Sequence, residues 1–244
     1  SKLKITVDDA EAVIGFGGIH HARLNYTEES DGKRVIRNYD VASLYPSLMI
    51  NNGFTSRNIP SPKIFEEVYH KRLHAKQTGD DQTSNTLKLI LNTTYGASLA
   101  TTNPLYDARM GRSVCITGQL YILELAMRYL REVPSVRIIQ LNTDGLMISL
   151  DEDELPIVYR LNEEWQQSKN LILEEDKIRK IIQKDVNNYV AVYENGKVKT
   201  KGACYDIEAP DYETGIALLV NADTDTVIYS KNADKITAPA SLTK

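Results

Sequence analysis

Apolar and polar positions alternate along Arg34-Val-Ile-Arg-Asn-Tyr39, which predicts a strand that delivers Asp40 at its end. The next residues, Ser43 to about Asn51, read as a short helix with Pro46 in its first turn, where a missing N–H costs little. Helical spacing returns over residues 62–78, with Pro62 near the start and Ile64, Val68 and Leu73 on one side. The polar stretch Gly79-Asp-Asp-Gln-Thr-Ser84 predicts a turn, and a second helix from about Asn85 to Tyr95 is expected to stop near Gly96. Together these two form a helical hairpin. A third helix is predicted from about Asp107 to Arg131, carrying Val114, Ile122, Leu125 and Leu130. Val136–Leu141 and Leu146–Leu150 read as strands joined by Asn-Thr-Asp-Gly, the chemistry of a tight hairpin turn. Residues from Asp153 to about Ser168 are helical, and 170–205 read as short strands with a hairpin at Asn195-Gly196. Residues 1–33 read as irregular, with Gly15-Phe-Gly-Gly18 a loop. The order of elements predicts an α+β fold: an antiparallel sheet, flanking helices and an inserted helical hairpin.

Composition narrows this little. The chain has 244 residues, 42% hydrophobic and 25% charged, with a net charge of −4, which is ordinary for a globular protein. No apolar run approaches the roughly 18 residues of a membrane span, and the first residues lack the apolar core of a signal peptide, so no membrane partner is expected. Residues 206–244 hold seven acids and three lysines, which leaves residues 1–205 balanced at 26 charges of each sign. A neutral region can still carry a local basic groove. Cys115 and Cys204 make no disulfide framework, so a reducing compartment is expected.

Three segments can be assembled into one phosphoryl-transfer site: Asp40-Val-Ala-Ser-Leu-Tyr-Pro-Ser47, Lys88-Leu-Ile-Leu-Asn-Thr-Thr-Tyr-Gly96 and Leu141-Asn-Thr-Asp-Gly145. Such transfer uses two divalent cations about 3.5–4 Å apart that clamp the attacking and leaving oxygens. Magnesium takes oxygen ligands and keeps waters, so two protein carboxylates plus substrate phosphates suffice. A carboxylate ending a strand and another in a hairpin turn are rigid enough to converge. Taken singly, Asp40 reads equally as a helix cap and Asp144 as a turn former. Lys88, Asn92 and Tyr95 share one helix face, and Arg72 and Lys76 share a face of the preceding helix. Backbone N–H groups of residues 41–45, at a helix start, would suit triphosphate oxygens.

The first segment resembles the first polymerase motif of family B DNA polymerases, Asp-x-x-Ser-Leu-Tyr-Pro-Ser, without a mismatch. Lys88–Gly96 resembles the second, Lys-x-x-x-Asn-Ser-x-Tyr-Gly, with Thr93 for Ser. Gln140-Leu-Asn-Thr-Asp-Gly145 resembles the third, Tyr-x-Asp-Thr-Asp-Ser, with Asn142 in place of an aspartate and Gly145 in place of serine. The likeness covers roughly residues 15–205 and has a phage-like flavour, which implies the cytoplasm of a bacterial or phage-infected cell.

The resemblance implies a palm over residues 1–205 with fingers inserted at about 55–100. It implies template-directed DNA synthesis on primer-template DNA, from deoxynucleoside triphosphates, with two Mg2+ ions or Mn2+ in their place. Asp40, the Val41 carbonyl and Asp144 would hold metal. Lys88 would act on the triphosphate, with Val41, Ser43, Leu44, Tyr45, Arg72, Lys76, Asn92 and Tyr95 around the nucleotide. Tyr45 would stack under the sugar and exclude a 2′-hydroxyl. Gly17, Gly18, Tyr95, Gly96, Thr143, Lys199 and Lys201 would contact DNA. An exonuclease, a thumb or a processivity partner would complete the machine; the alternative is a fragment that binds DNA or nucleotide without turnover.

Residues 214–244 resemble the start of a serine D-alanyl-D-alanine carboxypeptidase, ending at a Ser-x-x-Lys element with Ser241 as nucleophile and Lys244 as its activator. The later elements of that family are missing from these 244 residues, and a nucleophile without an oxyanion hole makes no acyl-transfer site. The expectation here is an appended β-hairpin with strands joined at Asp223-Thr-Asp225.

Overall fold

The computed structural model describes residues 2–202, 217–221 and 226–231. Its centre is an antiparallel sheet of ten strands. The strands are β1 (Leu3–Val7), β2 (Ala10–Gly15), β3 (Gly18–Ala22), β4 (Tyr26–Glu29), β5 (Arg34–Val41), β6 (Arg137–Asn142), β7 (Gly145–Asp151), β8 (Leu173–Asp185), β9 (Asn188–Tyr193) and β10 (Val198–Lys201). They lie in the order β1-β2-β3-β6-β7-β5-β8-β9-β10, with β4 pairing the far half of β8. Five α-helices are described: α1 (Leu44–Asn51), α2 (Pro62–Gln77), α3 (Asp81–Leu99), α4 (Ala108–Glu132) and α5 (Leu155–Lys169).

The N-terminal region departs from the sequence reading. Residues 1–33 are not irregular; they supply β1 to β4. Their turns use non-glycine residues at positive φ, Asp8 (φ 55°) and Asn25 (φ 49°), side chains that tolerate the left-handed region. Charged groups then fasten this ribbon to the sheet. Asp8 accepts from the Ile138 N–H at 3.0 Å and from Arg23 Nη2 at 2.7 Å, while Arg23 Nε donates to the Ile138 carbonyl at 3.1 Å.

Two further differences concern length. α3 begins at Asp81, capped by the Asp80 carboxylate on the Thr83 N–H at 3.0 Å, and runs through Gly96 to Leu99. Nothing lies within 4 Å of where a Gly96 Cβ would be, so this glycine is solvent-facing and the helix tolerates it at a cost of about 1 kcal/mol. The expected short strands after residue 170 include one long strand, β8, which pairs β5 along its first half and β4 along its second.

The helices cover one face of the sheet. Trp165 of α5, Tyr129, Ile122 and Leu125 of α4 and Leu48 of α1 pack fully buried with Tyr39, Ile138, Leu146 and Ile148 from the strands. A smaller cluster on the other face gathers Ile36, Ile139, Met147, Ile178, Ile181 and Tyr189. The α2–α3 hairpin is inserted between α1 and α4. Its two ends are clamped where Arg57 donates to Asp107 through Nε at 2.8 Å and Nη2 at 3.0 Å. The Arg57 guanidinium holds the Asp107 carboxyl well below the usual carboxylate range. Ser47 and Tyr69 hydroxyls meet at 3.0 Å and link α1 to α2.

Strands β11 (Ala217–Asn221) and β12 (Thr226–Lys231) form a separate antiparallel pair, the hairpin expected there. Ser241 and Lys244 lie outside the described residues.

Candidate active site

Asp40 is the penultimate residue of β5, and the sheet order decides what it meets. β5 lies between β7 and β8, so Asp40 is registered against Gly145 on one side and Glu174 on the other. The β6–β7 turn is Thr143-Asp144, and the Asp144 carbonyl accepts from the Val41 N–H at 2.7 Å. The two carboxylates expected from sequence are thereby brought to one point. Asp40 accepts from Asn38 Nδ2 at 3.0 Å. Burial, and then the Asp144 charge beside it, push the Asp40 carboxyl above its ordinary pKa, against the pull of Lys199 and the Asn38 hydrogen bond. Unneutralised like charges of this kind, with oxygen donors alone, suit a hard divalent cation. Among the described residues no group of three or more His, Cys, Asp or Glu side chains gathers to hold a metal. A cation here would therefore draw its other ligands from the Val41 carbonyl, water or a substrate.

Two clefts meet at this pair. The first, of about 450 Å³, runs towards the helical hairpin and is lined by Asp40, Val41, Ser43, Leu44, Tyr45 and Asp144 together with Arg72, Lys76, Lys88 and Asn92. Every residue that sequence reasoning placed around a nucleotide lines it except Tyr95, which stacks on Tyr45 with ring centroids 4.2 Å apart and planes 21° from parallel. Burial, with the neighbouring Cys115 and Asp144, pushes the Tyr45 hydroxyl up to about 12, so it stays neutral.

Arg72 is buried and reaches Ser43 Oγ through Nη1, while its Nε has no partner. The guanidinium lines the cleft, and its charge there suits an anion. Lys76 pairs with Glu174 across the cleft mouth.

The helix start is used differently from expectation. The Val41 and Ala42 N–H groups are taken by the Asp144 and Ile172 carbonyls, because β5 is still paired there. The first helical bond is from Ser47 N–H to the Ser43 carbonyl, so Ser43, Leu44 and Tyr45 supply the N–H groups that precede it. Ser43 itself sits in the left-handed region, φ 52° and ψ 43°, a conformation that costs a non-glycine residue energy and tends to occur at functional sites.

The second cleft, of about 390 Å³, runs along the sheet and is lined by His20, Asn142, Thr143, Tyr189, Lys199 and Lys201 among others. Lys199 is raised in pKa: partial desolvation works against its charge, but Tyr189, Tyr193, Asp40 and Asp176 outweigh it. Gly18 also comes to the site. Its φ is +133°, and a Cβ there would lie 1.9 Å from Thr143 Oγ1, so only glycine allows the β2–β3 turn to close on the Thr143-Asp144 turn. Gly17 and Gly96 line neither cleft.

Gly145 explains its own departure from serine. A Cβ there would stand 2.2 Å from Asp40 Oδ1 and 2.6 Å from the Tyr39 carbonyl. Asn142 donates to Gln140 Oε1 at 3.1 Å and lines the second cleft.

Sequence reasoning missed several groups. Asn38 lies two residues before Asp40, on the same strand face, and alternation could have found it. Glu174, Asp176, Tyr189 and Tyr193 come in through cross-strand register, which no local pattern reveals.

Comparison with known proteins agrees on the fold. No protein-family profile matches the chain, and no curated protein matches it in sequence. Among solved structures, the family B DNA polymerase from the hyperthermophilic archaeon Pyrobaculum calidifontis is similar, with a TM-score of 0.56, 12% sequence identity and 82% of this chain covered. The chain spans 28% of the length of that polymerase, so the likeness is one of fold, over part of a larger protein.

Proposed function

We propose that this chain carries the nucleotidyl-transfer centre of a template-directed DNA polymerase, adding deoxynucleotides to a primer 3′-hydroxyl. One observation carries the reading: Asp40, Asp144, Tyr45, Lys88, Arg72 and Asn92, from distant segments, line a single cleft. Magnesium or manganese held between Asp40, Asp144 and the Val41 carbonyl would supply charge neutralisation at the attacking and leaving oxygens. The chain's own groups do the rest. The 3′-oxygen attacks the α-phosphorus and pyrophosphate leaves; Lys88, with Arg72 and Lys76, favours the charge that collects on it. The Tyr45 ring lies against the sugar, and Asn92 and Tyr95 face the nascent base pair. Lys199, Lys201, Thr143 and Gly18 serve the primer-template on the sheet side, and Gly17 and Gly96, which line neither cleft, would meet it farther out.

The test is primer extension with Mg2+ and deoxynucleotides by wild type, Asp40→Ala and Asp144→Ala. Loss of extension in both variants with DNA binding retained is expected; extension surviving both sinks the reading. A narrower reading, a unit that binds DNA or nucleotide without turnover, is favoured by Asn142 where the family motif has aspartate. Wild type that binds primer-template but never extends it would select that reading. That an exonuclease, a thumb or a processivity partner completes the machine belongs to the same proposal. Among the described residues no helix is long and apolar enough to cross a membrane.

A further inference from the structure

The β2–β3 turn, Gly15 to Gly18, is held at both ends. At one end Gly18 closes on Thr143, next to Asp144. At the other, two fully enclosed side chains of α4 grip its backbone: Gln119 Nε2 donates to the Gly15 carbonyl at 2.8 Å, and Cys115 Sγ donates to the Phe16 carbonyl at 3.2 Å. Gln119 Nε2 also lies 2.9 Å from Cys115 Sγ. The Tyr95 side chain is within hydrogen-bonding reach of the same sulfur; burial first, and the Cys115 contact after it, push the Tyr95 hydroxyl up. Tyr95 in turn stacks on Tyr45, which lines both clefts.

A buried carboxamide is costly in a helix face otherwise made of Val114, Ile122 and Leu125. Gln119 leaves its Oε1 unpartnered as well. Leucine would fill the space at less cost, so the amide's use lies in what its N–H groups hold. A stack 4.2 Å deep leaves no slack: a Tyr95 ring that moves takes the Tyr45 ring with it.

We propose that Gln119 and Cys115 are positioning residues that tie the β2–β3 turn to Tyr95 and so fix Tyr45 where it discriminates the sugar of the incoming nucleotide. This rests on the function proposed above. Gln119→Leu and Cys115→Ala should lower discrimination between deoxy- and ribonucleotides about fivefold, the scale of one lost hydrogen bond. The change should come through a lowered ribonucleotide KM, with the deoxynucleotide kcat kept. Cys115→Ser, which can still donate to the Phe16 carbonyl, should restore most of it. Cys115→Ala combined with Tyr95→Phe should discriminate no worse than the worse single variant, because the two act in one chain. Unchanged discrimination in Gln119→Leu and Cys115→Ala, or additive losses in the pair, overturns the proposal.

A second readout does not depend on turnover. In a Cys204→Ser background, Cys115 should react with a thiol reagent several-fold faster in Gln119→Leu and Tyr95→Phe than in wild type. If wild type never extends a primer, the functional reading fails first, and an unchanged thiol rate then overturns the latch as well.

Discussion

On one side of Asp40 and Asp144 the cleft walls are helical; on the other they are strands. The helical side takes Arg72 and Lys76 from α2 and Lys88 and Asn92 from α3. That hairpin meets β8 through the exposed pair Lys76 with Glu174, and meets the start of α1 through Arg72 on Ser43. The strand side takes Tyr189 and Tyr193 from β9 and Lys199 and Lys201 from β10, which are locked in a continuous backbone ladder. Exposed ion pairs exchange partners cheaply, whereas a ladder moves only as a whole. In the proposed reaction, the ligand that changes every cycle meets the adjustable wall, and the strand that must stay in register meets the rigid one.

The largest expected effect removes the point the two sides share. Asp40→Asn should cut primer extension by at least about a thousandfold, at the upper end of losses for a transition-state contact. It should also raise the melting temperature at neutral pH. The folded pKa of Asp40 lies above the unfolded one, so ionised Asp40 costs stability above the folded value and nothing below the unfolded value. The variant's advantage should therefore shrink as pH falls through that window, and a melting series without divalent ions checks it.

Next, Lys88→Ala should lower kcat/KM for the nucleotide about a hundredfold while primer-template affinity, read by anisotropy, stays put. Lys199→Ala should do the reverse: DNA affinity about tenfold weaker and the salt slope smaller by about 1, with nucleotide KM unchanged. If both variants move the same parameter, the division between the walls is wrong. The smallest effect sharpens the division. Glu174→Gln frees Lys76 from its ion pair and should lower nucleotide KM about two- to threefold, the range of an exposed pair.

The placement of the candidate-site residues was legible because each motif is local. Asp40 follows an alternating strand, Lys88 through Tyr95 share a helix face, and Asp144 sits in a turn. The fold was legible where periodicity was strong, as in α2, α4 and α5. It failed in the first 33 residues, where Asp8 and Asn25 make turns that glycine usually marks and strands such as β1 are half exposed. It also failed along β8, whose Glu174, Glu175, Asp176, Lys177 and Arg179 dilute the apolar alternation of a strand paired on both edges. Sheet order was not written in any segment. Nothing near Asp40 announces Glu174 or Asp176, and nothing near Asp144 announces Gly18.

The placement of β5 between β7 and β8 also sets when the site can exist during folding. Helices α2 to α4 close through contacts between neighbours in sequence and can form early, while residue 40 waits for partners at 145 and 174. Pairings of such separation close slowly. Asp40 and Asp144 should be forced together only after α4 has supplied a surface against which β3, β6 and β7 pack. During synthesis Asp144 could reach Asp40 before the ribosome released β8, and only β8 would then add Glu174 as the second neighbour.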